Sequence, residues 1–531
     1  MTVRPRASAP LGFLPAAAAL AALALAPTPV RAQEQHEITI ETSLGGTETF
    51  WLQIPAGYEP GTPRPLLVGW HQWGGNHDEM RLASDFDAEA NARGWIAASH
   101  DGPSPTHWNN HAAQSNVVDM IAWITARYSV DPDRIYMVGA SMGGAAGMVF
   151  ADNHLDPRGP MVAAAASISG IQDCERRFHE QGINNSMIAA FGGTPAEVPH
   201  AYHRNSAVFF ADSTASMHVN ALHLPLLLTF GRGDSDQPWR SHAEDLYAAV
   251  AGQVDTVLIR ESALYGHGWA CAEAALICDF LGSFVLRRYP ERIDVQADEE
   301  GRWYWIDLKM RQPAGSFARI QGSVNATQRH VDFHMLGNVA AATLDLGAAG
   351  LPPAAGSFAC WWEIRDGEPA ELAISEVESA PAFVLRDGVP YTAWTHDPGL
   401  RLLTIDGYGA ALYAIHFSGT GMQQEEVPGG ATAAGLGLTA WSAGNASFAA
   451  RFTLPAAMHV DMTVHDAAGR LVERLLDESR GPGTQQVTWD GRLPSGRPAP
   501  SGCYFLRLAV EGLGPDAGEM QRAVTRLVLV R

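Results

Sequence analysis

The chain has 531 residues, more than a single hydrophobic core can organise, so its length predicts about three domains. Hydrophobic residues make up 46% and charged residues 18%, with 53 Gly and 33 Pro along the chain, which excludes a disordered or fibrous protein. The formal net charge of −21 repels phosphate backbones and anionic lipid, so neither nucleic acid nor a bilayer is an expected partner.

Residues 1–32 read as a secretory signal. Arg4 and Arg6 give a positive start, residues 11–26 an alanine-rich apolar stretch, and Val30-Arg31-Ala32 a cleavage site before Gln33. The apolar stretch falls short of the roughly 20 residues that a spanning helix needs. Losing Arg4, Arg6 and Arg31 would take the exported chain to −21 − 3 = −24. The expected location is secreted or at the cell surface.

Residues 33–290 alternate short apolar runs with amphipathic stretches, the pattern of a mostly parallel sheet with helices on both faces, an α/β fold. Strands are expected at 50–54, 66–70, 95–99, 135–138, 162–168, 226–230 and 256–259, and helices at 117–128, 246–250 and 272–286. After Tyr289-Pro290 the period changes to two: Trp303, Trp305 and Leu308, then Val331, Phe333 and Met335, then Phe358, Cys360 and Trp362. Residues 291–424 are therefore expected to form a β-sandwich-like domain. A small, glycine-rich linker at 425–439 leads to a third unit, 440–531, again of short strands and turns. Two β-rich sandwich-like domains thus follow the α/β domain.

Five cysteines, Cys174, Cys271, Cys278, Cys360 and Cys503, are an odd number. Cys271 and Cys278 fall in one expected helix, where seven residues of rise separate them by roughly 10 Å, too far to bond. A bridge from Cys174 to one of them is the expectation if any disulfide forms. No spacing points to a metal site, and no cofactor is expected. His77, His107, His200, His203 and His218 read as structural or solvated.

Gly139-Ala140-Ser141-Met142-Gly143 fits G-x-S-x-G, with an apolar strand before it and a small-residue helix start after it. That context makes a nucleophile elbow, in which glycines two before and two after the serine remove side chains that would clash. A serine hydroxyl needs a base. His267, in Tyr265-Gly266-His267-Gly268-Trp269 between a strand and the last helix, holds the base position for the order Ser, Asp, His. The strand 226–230 ends in Gly231-Arg232-Gly233-Asp234-Ser235-Asp236, making Asp234, or else Asp236, the group that orients the imidazole. The oxyanion donors are expected from the Met142 N–H and from the turn His71-Gln72-Trp73-Gly74-Gly75, at Trp73 with Gln72 as its competitor. Trp108, Trp239 and Trp269 are candidate substrate-binding residues. The loop Trp108-Asn109-Asn110-His111 fits substrate contact and plain surface equally well.

The stretch 131–144, Asp131-Pro132-Asp133-Arg134-Ile135-Tyr136-Met137-Val138-Gly139-Ala140-Ser141-Met142-Gly143-Gly144, resembles the nucleophile region of secreted esterases of the polyhydroxybutyrate depolymerase and feruloyl esterase group, relatives of prolyl-oligopeptidase-type hydrolases. Gly231-x-x-Asp234 and Gly266-His267-Gly268-Trp269 match the acid and base loops of that group, and the resemblance favours Asp234 over Asp236. It covers about residues 45–288 and implies a serine esterase acting through an acyl-enzyme. The group carries His-Gly in its oxyanion turn, where this chain has Gln72. Val464-His465-Asp466-Ala467-Ala468-Gly469-Arg470, Trp489-Asp490-Gly491 and Ser501-Gly502-Cys503-Tyr504-Phe505 resemble the immunoglobulin-like module of flagellar hook-capping proteins and type IX sorting domains. That resemblance implies contact with the cell surface or secretion machinery. The expected substrate is a carboxylic ester, with polysaccharide-linked and polyester substrates both open. A prolyl-oligopeptidase-like peptidase and an inert surface-binding protein are the alternatives.

Overall fold

The computed structural model describes residues 32–180, 184–233, 238–327, 329–351, 358–387, 389–407, 409–417, 438–444, 447–466, 470–500, 502–512 and 521–529. The expected signal segment up to residue 31 and most of the expected linker lie outside them.

Eight strands build one sheet: β1 (Glu34–Glu41), β2 (Thr47–Ile54), β3 (Arg64–Trp70), β4 (Ile96–His100), β5 (Val130–Ala140), β6 (Ala164–Ile168), β7 (Leu226–Arg232) and β8 (Val257–Tyr265). Their order is β1-β2-β4-β3-β5-β6-β7-β8. The β1–β2 and β2–β4 pairs are antiparallel, and from β4 onward every pair is parallel. The central strands carry no polar–apolar alternation because both faces are covered; β4 and β6 are buried at every position. Helices α1 (Glu79–Ala83), α2 (Phe86–Ala92), α3 (His111–Thr125), α4 (Ala146–Asn153), α5 (Cys174–Glu180), α6 (Asn184–Phe191), α7 (Pro199–Arg204) and α8 (Pro238–Val250) fill the crossovers, and α9 (Ala274–Gly282) follows β8. This is the α/β-hydrolase arrangement, with Ser141 at the C-terminal end of the central strand β5.

Several elements run longer than expected, among them β5, α3 and α8, and two near His267 differ in a way that bears on the site. Strand β8 continues to Tyr265, which brings His267 to within two residues of a strand end. The last helix begins only at Ala274, because Gly268–Cys271 forms a separate 3-10 turn. Cys271 and Cys278 therefore do not share a helix. Cys174, Cys271, Cys278 and Cys360 are buried thiols, and no bridge joins Cys174 to Cys271 or Cys278. The thiols make other bonds instead: Cys174 donates to the Asn205 carbonyl at 3.3 Å and Cys271 to the Gly268 carbonyl at 3.1 Å. Burial pushes the Cys174 thiol up to about 12, which keeps it protonated.

Between Arg292 and Phe417 the described residues form a six-stranded and a seven-stranded sheet. The period-two pattern explains how they pack. Val331, Phe333 and Met335 are buried between the sheets, whereas His330 and His334 on the opposite face pair with Asp332 and Glu363. This sandwich is joined to the hydrolase region by a shared core that includes Leu155, Met161, Trp303 and Tyr304. Asn220 bridges the seam, donating to both the Asp152 and Gln296 carbonyls. The last unit packs a three-stranded against a four-stranded sheet around Phe452, Val460, Met462, Leu506 and Leu508. Among the described residues no helix is long and apolar enough to cross a membrane.

Candidate active site

Strand β5 is forced into its turn by close backbone approaches. A Cβ at Gly139 would lie 2.0 Å from the Gly143 carbonyl oxygen, and one at Gly143 would lie 2.4 Å from that of Trp70. Only glycine fits at either position, which is the physical content of the G-x-S-x-G pattern. Between them Ser141 takes a left-handed conformation, φ 54°. A 3-10 turn, Ser141–Ala145, then runs into α4. Met142 is the second residue of that turn, where backbone N–H groups have no acceptor within the helix.

His267 Nε2 stands 2.8 Å from Ser141 Oγ, a distance at which the hydroxyl donates to a neutral imidazole. Gly266 and Gly268, both at positive φ, let the chain reverse on either side of the histidine. A Cβ at Gly231 would lie 1.8 Å from the Gly266 carbonyl oxygen, so β7 ends directly against this base loop. Asp234 and Asp236 both lie outside the described residues.

The turn after β3 is braced from two sides. Both ring nitrogens of buried His71 face backbone carbonyl oxygens, Gln72 at 2.7 Å and Asp101 at 2.9 Å. On the other side the Gln72 N–H donates to Glu79 Oε2 at 2.8 Å, and its side-chain amide donates to Glu79 Oε1 at 3.0 Å. The Gln72 N–H is thereby engaged, which leaves Trp73 as the candidate donor of this turn. Neighbouring His100 and His107 are fully buried; burial first, and His71 second, hold both well below the usual histidine range, so they are neutral.

The tryptophans divide into three situations. Trp239 lies against the base, its ring centroid 4.3 Å from that of His267, with the Arg177 guanidinium 4.7 Å from its own centroid. Trp73 is 49% exposed beside the site, and its indole N–H is 3.3 Å from Ser186 Oγ. Trp108 donates to the same oxygen at 3.0 Å but is only 2% exposed, packed with Met142 behind the nucleophile turn. Trp269 corrects the sequence reading: it is also 2% exposed, edge-on to Phe86 and donating to Glu79, so it is a core residue that holds the base loop and does not line a substrate surface.

Sequence reasoning missed three participants. The Asn109 side chain donates to the Met142 carbonyl at 2.9 Å, bracing the Ser141 turn from a loop that the sequence leaves equally open to substrate contact and plain surface. Ser186 on α6 ties Trp73 to Trp108, and Glu79 ties the oxyanion turn to the base loop. Asn109 and Ser186 lie far in sequence from the residues they hold, as Glu79 does from Trp269 though not from Gln72, and none belongs to a motif.

Residues 106–279 match the model of the prolyl oligopeptidase family, and residues 437–512 match that of the FlgD Ig-like domain. No curated protein matches the chain in sequence. Among solved structures it is similar to a ferulic acid esterase, at 14% identity over 48% of this chain and 98% of that one, with a TM-score of 0.37. It is also similar to an S-formylglutathione hydrolase from Staphylococcus aureus (13% identity, 47% and 99% covered, TM-score 0.37). A third is the acetyl xylan esterase from Paenibacillus sp. R4 (17% identity, 49% and 87% covered, TM-score 0.34). The chain thus joins a hydrolase region of the serine-hydrolase type to a C-terminal Ig-like module.

Proposed function

We propose that this protein is an exported carboxylic-ester hydrolase that works through Ser141, His267 and Asp234. The observation that carries the reading is the 2.8 Å contact between Ser141 Oγ and His267 Nε2 at a left-handed strand-to-helix elbow. In the proposed reaction His267 takes the hydroxyl proton as Ser141 attacks the ester carbonyl, then passes it to the departing alkoxide. Water, activated by the same imidazole, releases the acid from the acyl-enzyme. Asp234 orients the imidazole and stabilises its charged form. The N–H groups of Met142 and Trp73 hold the oxyanion, and such donors count for most where water is excluded.

Substrate is held, in this reading, between the exposed Trp73 ring and Trp239 above the base; Trp108, as buried as Trp269, supports the turn from behind and does not line the substrate surface. A broad aromatic surface of this kind suits an ester carried on a polysaccharide or a polyester, and the Ig-like module would keep the enzyme near the cell surface or its export machinery. A second reading, peptide hydrolysis, is favoured by the match of residues 106–279 to the prolyl oligopeptidase family. Against it, the described residues of 292–417 form a sandwich of two sheets and not a propeller.

The test is turnover of p-nitrophenyl acetate beside that of a peptide anilide, with covalent labelling by a fluorophosphonate. Ser141→Ala is expected to abolish labelling, and Ser141→Ala and His267→Ala each to lower kcat by about 10⁴-fold or more. Faster turnover of the anilide than of the ester would transfer the assignment to the peptidase reading.

A further inference from the structure

We propose that Glu79 is a positioning residue that locks the oxyanion turn in register with the base loop. The inference rests on the esterase reading above and assigns a role to a residue that touches neither substrate nor nucleophile. One carboxylate takes three hydrogen bonds: from the Gln72 N–H at 2.8 Å, the Gln72 side-chain amide at 3.0 Å and the Trp269 indole N–H at 3.3 Å. Gln72 immediately precedes Trp73, the candidate oxyanion donor, and Trp269 lies two residues beyond His267. The two halves of the site come from β3 and from the far end of the sheet beyond β8, and Glu79 spans them from the start of α1.

Two glycines make room for this arrangement. A Cβ at Gly75 would lie 2.4 Å from Glu79 Oε2, and one at Gly268 would lie 1.6 Å from Gln72 Oε1. Gly268, at φ +62°, therefore accommodates the Gln72 side chain as well as turning the base loop. The Gln72 side chain fills the space under the base loop and is held there by Glu79. The pairing of Gln72 with Gly268 and Glu79 turns a departure from the family pattern into a tie between donor and base. Oxyanion stabilisation depends on donors fixed before the reaction, and a displacement of about 1 Å can cost on the order of 10²-fold in rate.

The experiment is steady-state hydrolysis of p-nitrophenyl acetate by the full chain, with active sites counted by fluorophosphonate titration, for the parent, Glu79→Ala and the isosteric Glu79→Gln. Glu79→Ala is expected to lower kcat per titrated site by about 100-fold with KM within about threefold, and Glu79→Gln, which keeps one acceptor, to recover about tenfold of that loss. Affinity for a trifluoromethyl ketone, which forms a tetrahedral adduct, should fall in parallel with kcat. If Glu79 served only stability, the thermal midpoint and the titratable fraction would fall while kcat per site stayed within twofold of the parent, and the proposal would be overturned. Should Glu79→Ala not fold, a Glu79→Gln variant with parental kcat and ketone affinity would overturn it equally. A parent that neither labels nor turns over esters would defeat the esterase reading itself. Activity lost in Ser141→Ala but kept in both Glu79 variants would defeat this proposal alone.

Discussion

The hydrolase region and the middle sandwich both contain non-glycine residues in the left-handed conformation, but they hold them in opposite settings. In the hydrolase region the described examples are Trp108, Asn109, Ser141 and Ser169, all buried and all in the segments around the nucleophile turn. Their surroundings hold them in place: the Asn109 amide donates to the Met142 carbonyl, and the Ser141 carbonyl accepts from the Ile171 N–H at 3.1 Å. In the sandwich, Arg329, Asn338, Glu376, Asp387 and Arg401 sit at strand connections and are half-buried or exposed. Tyr304 is the exception, buried because it reaches across the seam to Leu155 and His223. A left-handed residue at an exposed turn reverses the chain, whereas several packed together in a core mark a backbone conformation that the surrounding structure must impose.

The sharpest way to break this comparison is to add a methyl group at glycines of each kind. Gly139→Ala would drive a Cβ into the Gly143 carbonyl, and is expected to destabilise the fold by more than about 4 kcal/mol and abolish fluorophosphonate labelling. Gly367→Ala in the sandwich, where no atom lies within 4 Å, should cost only about 1 kcal/mol, the penalty of its positive φ. Equal losses in urea unfolding would mean that the site is no more constrained than a surface turn.

Next in size is the Asn109 brace. Asn109→Ala removes the bond to Met142 and places alanine at φ 55°, so it should cost about 2 kcal/mol and lower kcat by about tenfold. A change in stability with kcat intact would separate the brace from the site.

A finer test replaces left-handed residues with glycine. Ser141→Gly should be about 1 kcal/mol more stable than Ser141→Ala, both being inactive, because glycine relieves the strained φ. Arg401→Gly in the sandwich should match or slightly exceed its parent in stability and leave ester hydrolysis unchanged. A Ser141→Gly variant no more stable than Ser141→Ala would show that the nucleophile turn stores no strain.

The smallest expected effect lies at the seam between the two regions. Asp152, in the last turn of α4, is 1% exposed, and neither carboxylate oxygen has a partner among the described residues. Burial raises its pKa well above the usual carboxylate range. The folded state therefore keeps a proton that the unfolded chain releases, and stability falls as pH rises from the unfolded pKa towards the folded one. Asp152→Asn removes that dependence, so its thermal midpoint should gain on the parent as pH rises from acid to neutral. A gap that does not change with pH would mean that Asp152 titrates alike in both states.

Much of the architecture was legible because it rests on local patterns. The apolar runs at 66–70 and 226–230 could only be strands covered on both faces, and the alternation at Val331, Phe333 and Met335 could only be a strand with one face in a core. The elbow at Ser141 was legible because such a turn needs glycine on both sides of it. The end of β8 was not: the stretch from Arg260 to Tyr265, polar in its first half, looks like a loop, but it lies at the sheet edge, where side chains can stay exposed while the backbone pairs with β7. Trp269 was misread for a related reason, since adjacency to His267 in sequence does not say which way an indole points.

By itself the sequence determined the order of the main strands, the period of each region and the glycine-flanked turns that carry Ser141 and His267, because each follows from neighbours within a few positions. The tertiary structure alone decided which thiols stay apart, which tryptophan packs against His267 and which carboxylate joins the turn after β3 to the loop around His267. Those outcomes depend on packing between segments as distant as Gln72 and Gly268, whose contact is set by how closely two backbones approach and not by any pattern along the chain.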